Sequence, residues 1–261
     1  MSIPGTVEIK IDEPFDHLPH APIVEAVIDI RGPAQVNWDE STAKLQLEPK
    51  LPDYAFLDSQ RQFETEVQVR PGRAPQQIVR DLGWKGVRFQ SLNKLHIAQF
   101  NRNGFVFSRL EPYENWKQLY DESRRLWNMF KELSQPVEIQ RIGVRFINRI
   151  KLPVGELRFE DYIQPAPESP RGLELPFHGF MHHDTLAVPG HPYAINVIRT
   201  IQPPQGASGS GAALILDIDA FTSQVFELGD NLLARRLREM RWLKNKVFFG
   251  SITEKVRETL R

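Results

Sequence analysis

From Arg141 to Ile150 the chain reads Arg-Ile-Gly-Val-Arg-Phe-Ile-Asn-Arg-Ile, and its two-residue alternation fixes a strand with two unlike faces. Arg141, Arg145 and Arg149 fall on one side, and Ile142, Val144, Phe146 and Ile150 on the other. Such a strand is half buried and half basic. It also opens what reads as a second half of the molecule, so it constrains both fold and function.

Before it, Ile23 to Ile30 sets Ile23 and Val27 among Glu25 and Asp29 and stops at Gly32-Pro33, a first strand. Trp38 to Leu47 is a short helix with Asp39 near its start, closed by Pro49 and Pro52. Strands are expected at Phe63 to Arg70, Trp84 to Gln90 and Lys94 to Phe100. A tight hairpin turn at Asn103-Gly104 then leads into a return strand from Phe105 to Leu110. Beyond Pro112 the period changes: Trp116, Leu119, Tyr120, Leu126, Trp127, Phe130 and Leu133 line one side of a long amphipathic helix.

The order then starts again. A strand from Glu138 to Ile150 precedes a short helical piece from Glu156 to Ile163 and a Pro-rich break from Pro165 to Pro176. Strands follow at Phe177 to Val188, Tyr193 to Ile201 and Ala212 to Ile218. A helix from about Asn231 carries the stripe Leu232, Leu233, Leu237, Met240, Leu243 and Val247, and Ser251 with Glu254 makes a capping box for a terminal helix. Each half reads strand, helix, several strands, long helix. The sequence therefore predicts an α+β chain built as a duplicated unit, residues 1–136 and 137–261, each an antiparallel sheet with a long helix across one face, the second ending in basic amphipathic helices.

Five segments carry a resemblance: Ala21-Pro-Ile-Val-Glu-Ala-Val-Ile28, Phe107-Ser-Arg-Leu-Glu-Pro-Tyr-Glu-Asn-Trp116, Arg141-Ile-Gly-Val-Arg-Phe-Ile-Asn148, Leu216-Asp-Ile-Asp219 and Phe248-Phe-Gly-Ser-Ile-Thr253. In this order they resemble the signature blocks of a sporadically distributed family of uncharacterised bacterial proteins. The resemblance implies a bacterial or phage origin, a complete chain and an accessory or defence-type setting. It carries over no functional residue.

Charge and composition exclude several classes. Lys plus Arg and Asp plus Glu both total 33, so the whole molecule has no general attraction for nucleic acid or anionic membranes. Zero cysteines remove disulfides, thiolate metal sites and cysteine nucleophiles. Residues 1–20 lack the basic start and apolar run of a secretory signal, and apolar runs such as Ala212 to Leu216 are too short to span a bilayer, so a cytoplasmic protein is expected.

Among the arginines, Arg141, Arg145 and Arg149, joined by Arg31, Arg70, Arg88, Arg109 and Arg199, could form an anion-binding sheet face, since guanidinium forks grip phosphate or carboxylate. The alternative is cross-strand pairing with Glu25, Asp29, Glu64 and Glu66. Residues 231–261 hold nine Lys or Arg against three Asp or Glu, and Arg235, Arg238, Arg241 and Lys244 recur along one helix flank, where nucleic acid could bind, or which is simply the solvated face of an amphipathic helix whose other face covers the sheet.

His178, His182 and Asp184 share a strand face and could contribute to a metal site or form polar surface; residues four apart on a strand lie ~13 Å from each other and cannot both reach one ion, and no metal is expected. Asp217 and Asp219 at a strand end could hold magnesium for phosphoryl transfer, or simply end the strand. Gly206, Gly209 and Gly211 lie between two strands, the context of a hairpin loop and not of a phosphate loop. The sequence is read as that of a non-enzymatic binding protein with no cofactor. It would hold an anionic ligand or protein partner, with nucleic acid as a further candidate, through Arg141, Arg145, Arg149, Arg88, Arg238 and Arg241. A metal-dependent phosphoesterase using Asp217 and Asp219 is the competing expectation.

Overall fold

Alternation in the sequence becomes one antiparallel sheet of nine strands, shown by a computed structural model that describes residues 5–36, 38–69, 71, 72, 74–153, 158–170, 172, 175, 177, 179–203 and 211–261. In chain order the strands are β1 (Ile23–Arg31), β2 (Tyr54–Gln68), β3 (Gln76–Ser91), β4 (His96–Asn101), β5 (Gly104–Leu110), β7 (Arg141–Lys151), β8 (Met181–Ala187), β9 (Ala194–Gln202) and β10 (Ala213–Thr222). Two short strands, β6 (Glu138–Ile139) and β11 (Phe226–Glu227), pair separately. Across the sheet the order is β2-β3-β4-β5-β1-β7-β10-β9-β8, so pairing of β1 with β7 joins the strands of residues 1–136 to those of 137–261.

One face of this sheet is apolar. Ala26, Ile28 and Ile30 of β1, Phe105 and Phe107 of β5, Val144 and Phe146 of β7, and Leu214, Leu216 and Ile218 of β10 are almost fully buried, each set two residues apart as the pleat requires. Helices α1 (Glu40–Leu47), α2 (Trp116–Ser134) and α3 (Asp230–Ser251) pack on the sheet, and the last helix, α4 (Glu254–Leu260), adds Val256 and Leu260 to the same core. Side chains of α2 meet those ahead of α1: Trp127 stacks on Phe130, which in turn lies 5.3 Å from the Trp38 ring. Asp39 caps α1 by accepting from the Thr42 amide at 2.9 Å, and Asn115 does the same for α2 through Gln118.

Several boundaries differ from expectation, for physical reasons. β2 begins at Tyr54, well before Phe63, because Tyr54–Gln60 pair with Gly86–Ser91 inside the sheet, and β3 begins at Gln76, before Trp84, because it pairs with β2 beyond the body of the sheet. Beyond the Gly86–Asn101 pair β3 has no β4 partner, so residues 61–68 and 76–84 continue as a two-stranded ribbon whose side chains are mostly exposed. The hairpin between β4 and β5 forms as anticipated, with Gly104 at φ +151°, and a Cβ there would come within 2.5 Å of the Ile30 carbonyl oxygen. Ser251 ends α3 and does not cap α4; Thr253 does, accepting from Val256. Of the helix expected at 156–163, a single 3₁₀ turn at Phe159–Asp161 is seen, while 154–157 lie outside the described residues. The strand expected from Phe177 begins at Met181.

Burial predicts unequal sensitivity along the sheet. Phe107 is fully buried and Phe63, on the ribbon, is 58% exposed. Phe107→Ala is expected to cost about 3–5 kcal/mol by urea denaturation followed by circular dichroism, whereas Phe63→Ala should stay within about 0.5 kcal/mol; equal losses would contradict this layering.

Candidate functional site

On the face of the sheet away from the core, the arginines are engaged. Arg141 binds Asp29 of β1 and, at 3.0 Å, Asp219 of β10, bridging three strands. It can lie along β7 because Gly143 has no side chain: a Cβ there would sit 2.6 Å from the guanidinium. Arg145 takes both oxygens of Asp217, at 2.8 and 2.5 Å, and Arg149 donates to Gln202 at 3.0 Å. Arg88 grips Asp58 on the facing strand with both arms of its fork. These are cross-strand and diagonal pairs, the natural way for a pleated surface to hold long charged side chains.

The pairing extends to the other candidates. Asp217 and Asp219, considered for magnesium, carry guanidinium partners, and burial nonetheless pushes the Asp219 carboxyl above its ordinary range. Asp184 pairs with Arg199, which also donates to the Pro165 carbonyl oxygen at 3.1 Å. His182 packs its ring beside Phe180, and His178 lies outside the described residues, as do Arg70, Gly206 and Gly209. Among the described residues no group of three or more His, Asp or Glu is arranged to hold a metal ion. Arg109, on the core side, is buried between the Pro112 carbonyl oxygen, His96 and Glu114.

A different arrangement surrounds Arg238 and Arg241. α3 runs over the second half of the sheet, and its sheet-facing stripe steps through Leu237, Met240, Lys244 and Phe248. Lys244 thus occupies a position where helical period demands an apolar side chain. β7 shows the same kind of break: Val144, Phe146, Asn148 and Ile150 share its core face, and Asn148 is 2% exposed. Both breaks line one cleft of about 430 Å³, a volume within the range of small-molecule sites.

The cleft is walled by two segments. On one side residues 13–18 lie against α3: Glu13 accepts from Trp242 Nε1 at 2.7 Å and from Lys246 at 3.0 Å, and Phe15 stacks on Phe249. Those hydrogen bonds, from Lys246 first, hold the Glu13 carboxyl below the usual range. On the other side the turn after β5 brings in Tyr113, Glu114 and Trp116, with Tyr113 edge-on to Phe146 at 5.4 Å. Arg241 sits at the exposed rim with its guanidinium 5.5 Å from the Trp116 ring, and Arg238 is exposed one turn earlier.

Lys244 is 8% exposed, with Nζ 3.8 Å from the centre of the Phe146 ring. Among the described residues Arg238, Arg241 and Lys244 have no carboxylate partner. The carboxylates that line the cleft are committed elsewhere: Glu13 to Trp242 and Lys246, Asp16 to Arg261, Glu114 to Arg109. Burial, with the Arg241 charge adding to it, pushes the Lys244 amine down to about 7. Burial also raises the Tyr113 hydroxyl. The basic flank read from sequence is therefore divided: Arg235 pairs with Glu239 at 2.9 Å, Arg238 and Arg241 stand at the rim, and Lys244 forms the floor.

Compared with protein families, with characterised proteins and with solved structures, the chain matches none.

The buried amine makes a signed prediction. Its folded value lies below its unfolded one, so between about pH 7 and the ordinary lysine range the unfolded chain holds a proton that the folded chain has released, and stability rises with pH across that window. Below the folded value the full penalty applies. Lys244→Met should therefore stabilise the protein by roughly 2–4 kcal/mol near pH 6 and by less near pH 9, measured by urea denaturation at each pH.

Proposed function

We propose that the chain is a binding protein, not a catalyst of turnover, that holds an anionic ligand in the cleft between α3, β7 and the Tyr113–Trp116 turn. The observation that carries this reading is the convergence of two guanidiniums without carboxylate partners among the described residues, Arg238 and Arg241, with the buried amine of Lys244 beneath them, on an aromatic cleft whose own acids are committed elsewhere. A bound anion would supply the missing counter-charge through charge-assisted hydrogen bonds from the two guanidiniums. Trp116, Tyr113 and Trp242 offer flat apolar walls, so the ligand is a small anion with a planar or apolar body.

Support for the alternatives is weaker. A partner on the sheet face of Arg141, Arg145 and Arg149 would have to displace ion pairs and a hydrogen bond already formed there. A phosphoesterase built on Asp217 and Asp219 would have to free both carboxylates from guanidiniums. We further propose that the sheet is a duplicated unit. The orders β2-β3-β4-β5-β1 and β8-β9-β10-β7 each return a meander to the side of its opening strand and are followed by a long helix. The bacterial accessory or defence-type setting is proposed from the family resemblance alone.

Tryptophan emission tests the cleft directly, because Trp116 and Trp242 line it. Titration with benzoate or phenyl phosphate should give a saturable change, weakened about ten- to a hundredfold by Arg241→Gln or Arg238→Gln, as the loss of a charged hydrogen bond requires. Arg149→Gln should leave it unaltered. No saturable change in the wild type, or an equal loss in Arg149→Gln, would overturn the reading.

A further inference from the structure

Lys244 is the feature that anion binding by itself does not explain. A floor cation meant only to pair with an anion is best kept charged, as an arginine is at any working pH. Here a lysine is placed where the ammonium form is penalised: on the sheet-facing stripe of α3, 8% exposed, with no acceptor for its Nζ among the described residues. The charged groups around the cleft do not relieve this. On α3 itself Arg238 and Arg241 add like charge, while Glu13, Asp16 and Glu114 are held by Lys246, Arg261 and Arg109. The Phe146 ring face offers the ammonium some attraction, while burial and the Arg241 charge push the amine down to about 7, where an uncharged fraction is present near neutrality. An uncharged amine on the floor of an accessible cleft is a poor anion partner and a good nucleophile toward carbonyl carbon.

From this cavity and its unpartnered, nine-tenths buried amine we infer that Lys244 is a covalent capture site for a small oxo acid, a ligand carrying a ketone or aldehyde beside a carboxylate. The inference rests on the anion-binding reading of the same cleft and names its ligand class. Arg241 and Lys244 are three residues apart on one helix, neighbours separated by about 5–6 Å at Cβ, so one short molecule reaches both. The carboxylate meets Arg241 at the rim and the carbonyl group meets Nζ at the floor. Nζ attacks the carbonyl carbon to form the C–N bond. The carbonyl oxygen then departs as water, carrying both amine hydrogens, and leaves the neutral imine. No oxidant or further reactant is needed. Asn148 Nδ2 donates to the carbonyl oxygens of Phe146 and Leu216, at 3.3 and 2.9 Å, which fixes the amide with its Oδ1 free of donors among the described residues. That oxygen is available to accept a hydrogen bond from the carbinolamine formed on the way.

Reductive trapping decides the matter. The full chain is incubated near neutral pH with pyruvate and cyanoborohydride, then digested and mapped by mass spectrometry; acetone, which lacks the carboxylate, is run in parallel. Pyruvate is expected to modify Lys244 before any other lysine, and Arg241→Gln to slow that labelling about ten- to a hundredfold. Lys244→Arg, checked for folding by circular dichroism, should abolish it; because the mapping is read in the wild type, the result stands even if that variant does not fold. Labelling confined to exposed lysines, while pyruvate still alters tryptophan emission, overturns the capture and spares anion binding. Labelling of Lys244 by acetone as fast as by pyruvate, with no dependence on Arg241, keeps the nucleophile and overturns the oxo-acid assignment together with the anion reading.

Discussion

Pairing of β1 with β7 is the contact on which the rest of the structure depends. It joins strands from the two parts of the chain into one sheet, and Arg141 reinforces it from the outer side by holding Asp29 of β1 and Asp219 of β10 at once. A guanidinium that bridges three strands resists their sliding, because a one-residue slip would turn every side chain of β7 to the opposite face. The same strand carries Phe146 and Asn148 on its inner side. One strand thus fixes the sheet's register with one face and forms the floor of the cleft with the other.

The two faces treat charge in opposite ways. Outside, each arginine of β7 meets an acceptor across the strands, and because Asp29, Asp217 and Asp219 are largely buried there, each charge depends on its partner. At the cleft, Arg238, Arg241 and Lys244 meet no carboxylate among the described residues. Leaving a lysine amine unpaired in a core position costs stability, and proteins keep such costs chiefly where a site requires them. Placing the cleft on α3 and β7 also gives it rigid supports, since both elements are anchored in the main core.

Much of this was legible along the chain. Two-residue and helical periods marked most strands and both long helices, and the alternation of β7 separated Arg141, Arg145 and Arg149 from its apolar residues as the sheet does. Strand ends were harder: β3 runs back to Gln76 by pairing with β2 outside the sheet, and pairing of that kind leaves no apolar alternation to read, while the start of β2 at Tyr54 is set by its pairing with Ser91 inside the sheet. The cleft has a signal in the sequence as well. Asn148 interrupts the apolar alternation of β7, and Lys244 interrupts the stripe that runs from Met240 to Phe248 on α3. Each break alone is an ordinary polar residue; only their meeting on one cavity gives them meaning.

By itself, then, the sequence determined the elements, the mixed α+β class and the amphipathic character of each face, because these follow from local period and composition. Tertiary structure decided which strands became neighbours, and with them which charges are spent. Whether Arg145 is a free guanidinium or the partner of Asp217, and whether Lys244 lies on a solvated flank or on the floor of a cleft, depends on residues scores of positions away. Charge recognition acts over a few ångströms in space, and spacing along the chain does not encode that distance.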